Sequence, residues 1–212
     1  MNIQFLPNFL RQIFARKGSA ASLPPEVPKS DDHAYELNLD DPWLRFMIFG
    51  YKPHGYGFRE VLAFNRVEFD THHDFIQWLF PNQVGSPINP HAPRLTDAHR
   101  ELYRRLPELR SAVEEGITKF YRFLGFKEVI GGFERADDFE KGFQYWVTRL
   151  DHNHRRISRL LTFLCEIGER SQASSLLVYL ETELAEANLL GIEAIPYWRA
   201  ILAAAIDGAT SQ

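Results

Sequence analysis

At 212 residues, with 45% hydrophobic and 25% charged side chains, the chain is long enough to bury a substantial core and too apolar to be disordered through its body. A formal net charge of −4 lacks the strongly basic balance of a protein that coats nucleic acid. The single cysteine, Cys165, excludes an internal disulfide and a thiolate-built zinc site and points to a reducing, cytoplasmic setting, and no run of about eighteen apolar residues offers a membrane span.

Residues 1–17, MNIQFLPNFLRQIFARK, form the first expected element, an amphipathic helix. Pro7 and Arg11 interrupt the continuous apolar stretch that a secretory signal needs. Its basic, acid-free composition is shared by transit peptides and surface-binding helices, and the expectation is that it docks on its own domain. Residues 18–40 are small, polar and Pro-rich, with no periodic apolar face, and read as a linker.

A single helical domain is expected over 41–208. Phe58, Val61 and Leu62 predict a short helix, and Phe75, Ile76, Leu79 and Phe80 another that Pro81 stops. The Pro-rich segment 82–94 is expected to be a long irregular loop, a kind of element that often carries function. Thr96 can cap a helix to about Leu106, and Pro107 suits the first turn of the next. That helix carries Leu109, Val113, Ile117, Phe120 and Leu124 on one stripe, with Gly125 as its C-terminal cap. Phe139, Phe143, Trp146, Val147 and Leu150 repeat the helical spacing, and so do Ile157, Leu160, Leu161 and Leu164, ended by Gly168. A Leu176, Leu177, Leu180 and Leu184 stripe follows, then a last helix from Pro196 with Tyr197, Trp198, Ile201 and Leu202. The β-branched run near Glu128 to Ile130 looks too isolated to build a sheet, and Gly131-Gly132 reads as a turn. The expected fold class is all-α, one multi-helix domain with a long Pro-rich internal loop.

The segment His73-Asp-Phe-Ile-Gln-Trp-Leu-Phe-Pro81, followed by Asn89-Pro-His-Ala-Pro-Arg-Leu-Thr96, resembles the signature of the opioid growth factor receptor conserved domain. A second block is similar to that family's central helices: Arg135-Ala136, Phe143, His152-Asn153 and Arg156-Ile157-Ser158-Arg159, ahead of a Leu-rich helix. Together they cover roughly Arg45 to Leu190. The resemblance implies a helical domain that, in animal members, is part of a receptor for an endogenous opioid peptide restraining cell growth. Animal members also carry basic nuclear-import motifs and extended C-terminal tails. A chain closing at Gln212 therefore reads as a short, tail-less member of bacterial or fungal type.

Two constellations could carry chemistry. His73 and Gln77 sit one helical turn apart, with Trp78 about a hundred degrees away and His91 on the following loop. They can bind a ligand jointly, or they can satisfy backbone groups of the 82–94 loop while Trp78 fills the core. The second constellation is Asp151-His-Asn-His154 leading into Arg155, Arg156 and Arg159. Helical spacing puts His152, Arg156 and Arg159 on one stripe near a helix start, where free amides favour anions. The alternative there is a solvated face or one paired with Asp137, Asp138 and Glu140. His154 lies on the Ile157, Leu161 and Leu164 side and reads as a core-edge histidine, and Cys165 reads as a packed thiol.

The functional expectation is a non-catalytic binding or regulatory module without a cofactor, taking a peptide, protein or small anionic ligand. Its expected ligand-binding residues are His73, Gln77, Trp78, Asn89, His91, His152, Asn153, Arg156 and Arg159, two of which, Asn89 and Asn153, rest on the family-like motifs. The alternative is a metal-dependent hydrolase using His73, His91 and His152, although no HExxH, GxSxG, phosphate-binding or dinucleotide motif is present.

Overall fold

Four short helices lead into a set of longer amphipathic ones in the computed structural model, which describes residues 38, 40–189 and 191–210, with side chains to 205. The helix expected at 1–17 and nearly all of the 18–40 linker lie outside the described residues. In chain order the elements are α1 (Pro42–Met47), α2 (Phe58–Ala63), α3 (Arg66–Thr71), α4 (Ile76–Leu79), α5 (Asp97–Arg105) and α6 (Pro107–Leu124). They continue with β1 (Phe126–Val129), β2 (Gly132–Arg135), α7 (Phe139–Phe143), α8 (His152–Ile167), α9 (Arg170–Glu186) and α10 (Ile195–Thr210).

The long helices form where an apolar stripe runs at helical spacing and end where the sequence supplies a stop. In α6, Leu109, Val113, Ile117, Phe120 and Leu124 are all buried, and Gly125 closes the helix in the left-handed region at φ 97. Gly168 does the same for α8 at φ 101. Thr96 caps α5 by accepting a hydrogen bond from the His99 amide, while the His99 ring returns one from the Thr96 amide. α1 and α3 are only six residues each, too short to show a period, and exist because Asp41 and Asn65 accept hydrogen bonds from the Leu44 and Glu68 amides.

The helical expectation holds for most of the described residues, and one addition corrects it: a two-stranded antiparallel sheet pairing Phe126 with Arg135 and Val129 with Gly132. Gly131, at φ 91, supplies the reversal. The strands need no further strands because helices cover them. Phe126 is fully buried, and it and Phe133 pack on Tyr121 of α6 and Tyr179 of α9 at ring separations of 5.0 to 5.6 Å.

The helix expected to continue through Leu150 is also corrected: α7 stops at Phe143. Gly142 lies so close to the α6 terminus that a Cβ there would stand 2.2 Å from the Gly125 nitrogen. The chain then turns, yet Trp146 stays fully buried and its indole donates to the Leu124 carbonyl at 3.0 Å, while Leu150 is left exposed. Behind these elements α8, α9 and α10 pack on one another, and α8 touches α5. Phe80, Phe120 and Phe163 join α4, α6 and α8 through ring contacts of 5.6 and 5.8 Å.

Candidate functional site

The centre of the candidate site is Arg156, one turn into α8 and buried at 4% exposure. Its Nη1 donates to the Phe69 carbonyl at 2.7 Å, and its Nη2 to the carbonyls of Asp70 at 3.0 Å and His72 at 2.7 Å. These are carbonyls at the end of α3 and just beyond it, so the guanidinium acts as that helix's C-terminal cap. Burial pushes Arg156 down to about 10, against the opposing pull of Asp70 and Asp151, which leaves it charged at neutral pH. Its Nη2 also reaches His73 Nδ1 at 3.1 Å, and since a guanidinium only donates, Nδ1 is the acceptor.

Asp70 ties the start of α8 to the same corner. Its Oδ1 accepts from Asn153 Nδ2 at 2.8 Å and meets His152 Nε2 at 3.0 Å. Asn153 is wholly buried and also donates to the Tyr145 carbonyl at 3.0 Å. At the start of α8 the Asn153 amide is already taken, donating to the Asp151 carboxylate at 2.8 Å. Asp138 pairs with Arg66 at 2.7 Å rather than with the α8 arginines.

A cleft of about 520 Å³ opens over this corner between α4, the 82–94 loop and α8. It brings together five of the expected residues, His73, Gln77, His152, Arg156 and Arg159, with Asn82, Ser86 and Arg155. Gln77 is 6% exposed and its Oε1 has no hydrogen-bond partner among the described residues. Arg159 donates from Nη1 to the Phe80 carbonyl at 3.2 Å and to Asn82 Oδ1 at 3.3 Å. Arg155 is exposed on the rim and makes no hydrogen bond or ion pair among the described residues.

Four expected residues do not line the cleft. Trp78 is buried among Phe46, Tyr51 and His54 at 5.6 to 6.3 Å. Asn89 pins the loop by donating to the Asp74 carbonyl at 2.9 Å, His91 is exposed on the loop, and Asn153 faces Asp70. The 82–94 loop is held further by the Gln83 amide, which donates to Glu166 at 2.9 Å. Two residues that matter here stood outside the expected ligand-binding set: Asp70, which anchors the start of α8, and Arg155, named in the second constellation but not among its ligand residues. The one available signal for Arg155 was its place beside Arg156, since neighbours on a helix point about a hundred degrees apart and only one of the two can face the core.

The histidine trio of the hydrolase alternative does not converge. His73 and His152 have ring centroids 5.1 Å apart, but His73 Nδ1 is taken by a guanidinium and His91 is not in the cleft. No group of three or more histidine, cysteine or acidic side chains suited to a metal occurs among the described residues. A buried arginine beside the imidazoles also repels a cation.

His73 is held below the ordinary histidine value of 6.5 by burial first, then by the charges of Arg156 and His152. The unfolded chain therefore binds a proton at His73 more readily than the folded one. The stabilisation is fully present above pH 6.5 and declines as pH falls below it. Urea midpoints measured between pH 7.5 and 5 are expected to fall more steeply for the native chain than for His73→Asn, and equal slopes would contradict this. His154 is buried beside Trp198, with Nε2 2.8 Å from the Trp146 carbonyl, and burial raises the Cys165 thiol.

Fold and cleft together define a predominantly helical domain whose helix ends are capped by arginines and indoles. The model of the opioid growth factor receptor conserved region matches residues 46–202, and the chain belongs to that family. It is 28% identical over 172 residues to opioid growth factor receptor-like protein 1 of Mus musculus, covering 78% of this chain and 36% of that protein. It is 30% identical over 166 residues to the opioid growth factor receptor of Homo sapiens, covering 74% of this chain and 24% of that protein. The chain thus spans about a quarter to a third of these relatives' lengths. No solved structure matches it, and no helix among the described residues is long and apolar enough to cross a membrane.

Proposed function

We propose that this domain is a non-catalytic, cytoplasmic binding module that takes an anionic group, carboxylate or phosphate, in the cleft between α4, the 82–94 loop and α8. The observation that carries the reading is Arg155, an exposed guanidinium on the cleft rim with no partner among the described residues. Arg159, with one terminal nitrogen spent on the loop, stands one turn further along the same helix. His152 and His73 border the same space, and the buried amide of Gln77 offers a group that can fix a ligand's orientation. Arg156 serves the site by holding α3 and His73 in place, since its nitrogens are committed to carbonyls. The relatives' name of receptor fits binding rather than bond-making, and the buried Cys165 fits a reducing compartment.

A second basic cleft, at Arg66, Lys119 and Arg122, is a poorer candidate. Arg66 is spent on Asp138 and on the Arg122 and Phe123 carbonyls, Lys119 donates to the Phe64 carbonyl, and Glu114 and Glu115 line the same wall.

Calorimetric titration with inorganic phosphate at low ionic strength tests the reading. Two charge-assisted hydrogen bonds of about 2 kcal/mol each correspond to a Kd of about 1 mM. Arg155→Ser is expected to weaken binding about thirtyfold and Arg66→Ser to leave it unchanged. No measurable heat, or an Arg155→Ser isotherm matching the native one, sinks the proposal.

A further inference from the structure

We infer that the groove between α8 and α10 seats an amphipathic helix of a partner protein, with an acidic residue of that helix on Arg155. The inference rests on the anion reading of Arg155 and names the kind of partner that delivers the anion. The groove, of about 1000 Å³, adjoins the polar cleft and shares His152, Arg155 and Ser158 with it.

The sequence of α10 suits a buried helix, yet the helix lies at the surface. From Ile195 to Ile206 its only charged residue is Arg199, which pairs with Glu181 at 2.7 Å. Its inner face is accounted for: Trp198 is fully buried and donates to Ser158 Oγ at 3.1 Å. A second face is also apolar, with Tyr197, Ala200, Ile201 and Ala204 at positions i, i+3, i+4 and i+7 lining the groove. Tyr197 is 71% exposed, and across the groove Leu150 is 75% exposed. A helix apolar on both faces needs a cover on both.

The shape of the surface favours a helix as that cover. The i, i+3, i+4 spacing produces the ridges between which another helix packs, and the small side chains Ala200, Ala204 and Ser158 let its backbone approach closely. The charge of the occupant follows from the rims. Glu193 is neutralised by Arg149 at 2.8 Å, and Asp151 is occupied by the Asn153 amide and Thr148 Oγ1 at 2.8 and 3.1 Å. Arg155, by contrast, is uncompensated among the described residues, so the complementary residue is acidic.

A display library of helix-forming peptides about sixteen residues long, selected on the full chain, tests this. Enriched peptides are expected to carry apolar residues at i, i+3, i+4 and i+7 with an aspartate or glutamate flanking them. By fluorescence anisotropy, Ala204→Glu, at an exposed position that leaves the core untouched, is expected to weaken their binding at least about thirtyfold without changing phosphate affinity. Arg155→Ser is expected to weaken both. Failure to enrich peptides, enriched peptides that bind Ala204→Glu as well as the native chain, or a concentration-dependent dimer abolished by Ala204→Glu would each overturn the helix assignment, and phosphate binding that persists in those cases leaves the anion site standing. Peptides bound equally by native and Arg155→Ser protein overturn the acidic contact.

Discussion

Arg156→Met lowers the free energy of unfolding by about 3–4 kcal/mol, because three backbone carbonyls are left without their donor in a buried corner and each costs about 1 kcal/mol or more. Methionine keeps most of the apolar stem, so the loss reports the hydrogen bonds rather than a cavity. Arg156→Lys recovers less than half, since a single ammonium cannot reproduce the spread of the guanidinium from Phe69 to His72. Urea denaturation reads both, with a shifted midpoint and an unchanged slope. A loss below about 1 kcal/mol for Arg156→Met would show that water replaces the guanidinium and that Arg156 is not the brace of this corner.

Gly142→Ala is the second large effect, at about 3 kcal/mol. The added Cβ would stand 2.2 Å from the Gly125 nitrogen and 2.4 Å from its Cα, and backbone cannot rotate out of the way as a side-chain tip can. Gly125 cannot yield either, being at φ 97 with the Phe139 carbonyl 2.5 Å from its own Cβ position. Gly131→Ala provides the contrast. It meets nothing within 4 Å and bears only the strain of φ 91, costing about 1 kcal/mol. Thermal unfolding of the two variants should separate them clearly, and a Gly142→Ala protein as stable as the native one would mean that α7 is not seated against the α6 terminus.

The long helices were legible because each carries at least three turns of apolar period and a stop that chemistry enforces, as at Gly125 and Gly168. Of the short ones, α2 and α4 were legible from the Phe58 and Phe75 clusters and the stop at Pro81; α1 and α3 were not, although the Asn65 and Glu68 capping pair of α3 is visible in retrospect. The hairpin escaped because its partners are helices: Phe126 and Phe133 answer Tyr121 and Tyr179, residues distant in sequence. Phe139 to Leu150 misled because Phe143 and Trp146 keep helical spacing while packing edge to face around a turn. At the site, His152, Arg156 and Arg159 share a stripe of α8 as expected, whereas His73 precedes α4 and is not one helical turn from Gln77, although both line the same cleft. What each arginine bonds to was not legible, since the carbonyls that occupy Arg156 lie more than eighty residues away in the chain.

In the proposed function Arg156 is the brace of α8, and Arg155 and Arg159 would bind the anion. The most direct test is an amide proton–nitrogen correlation spectrum of the native chain recorded through a titration with inorganic phosphate. Progressive shifts are expected, concentrated in 152–159, 73–77 and 86–88, the segments around the cleft, and they are expected to disappear in Arg155→Ser. Shifts confined to the neighbourhood of Arg66, Lys119 and Arg122, or an unchanged spectrum at tens of millimolar phosphate, would contradict the proposed function.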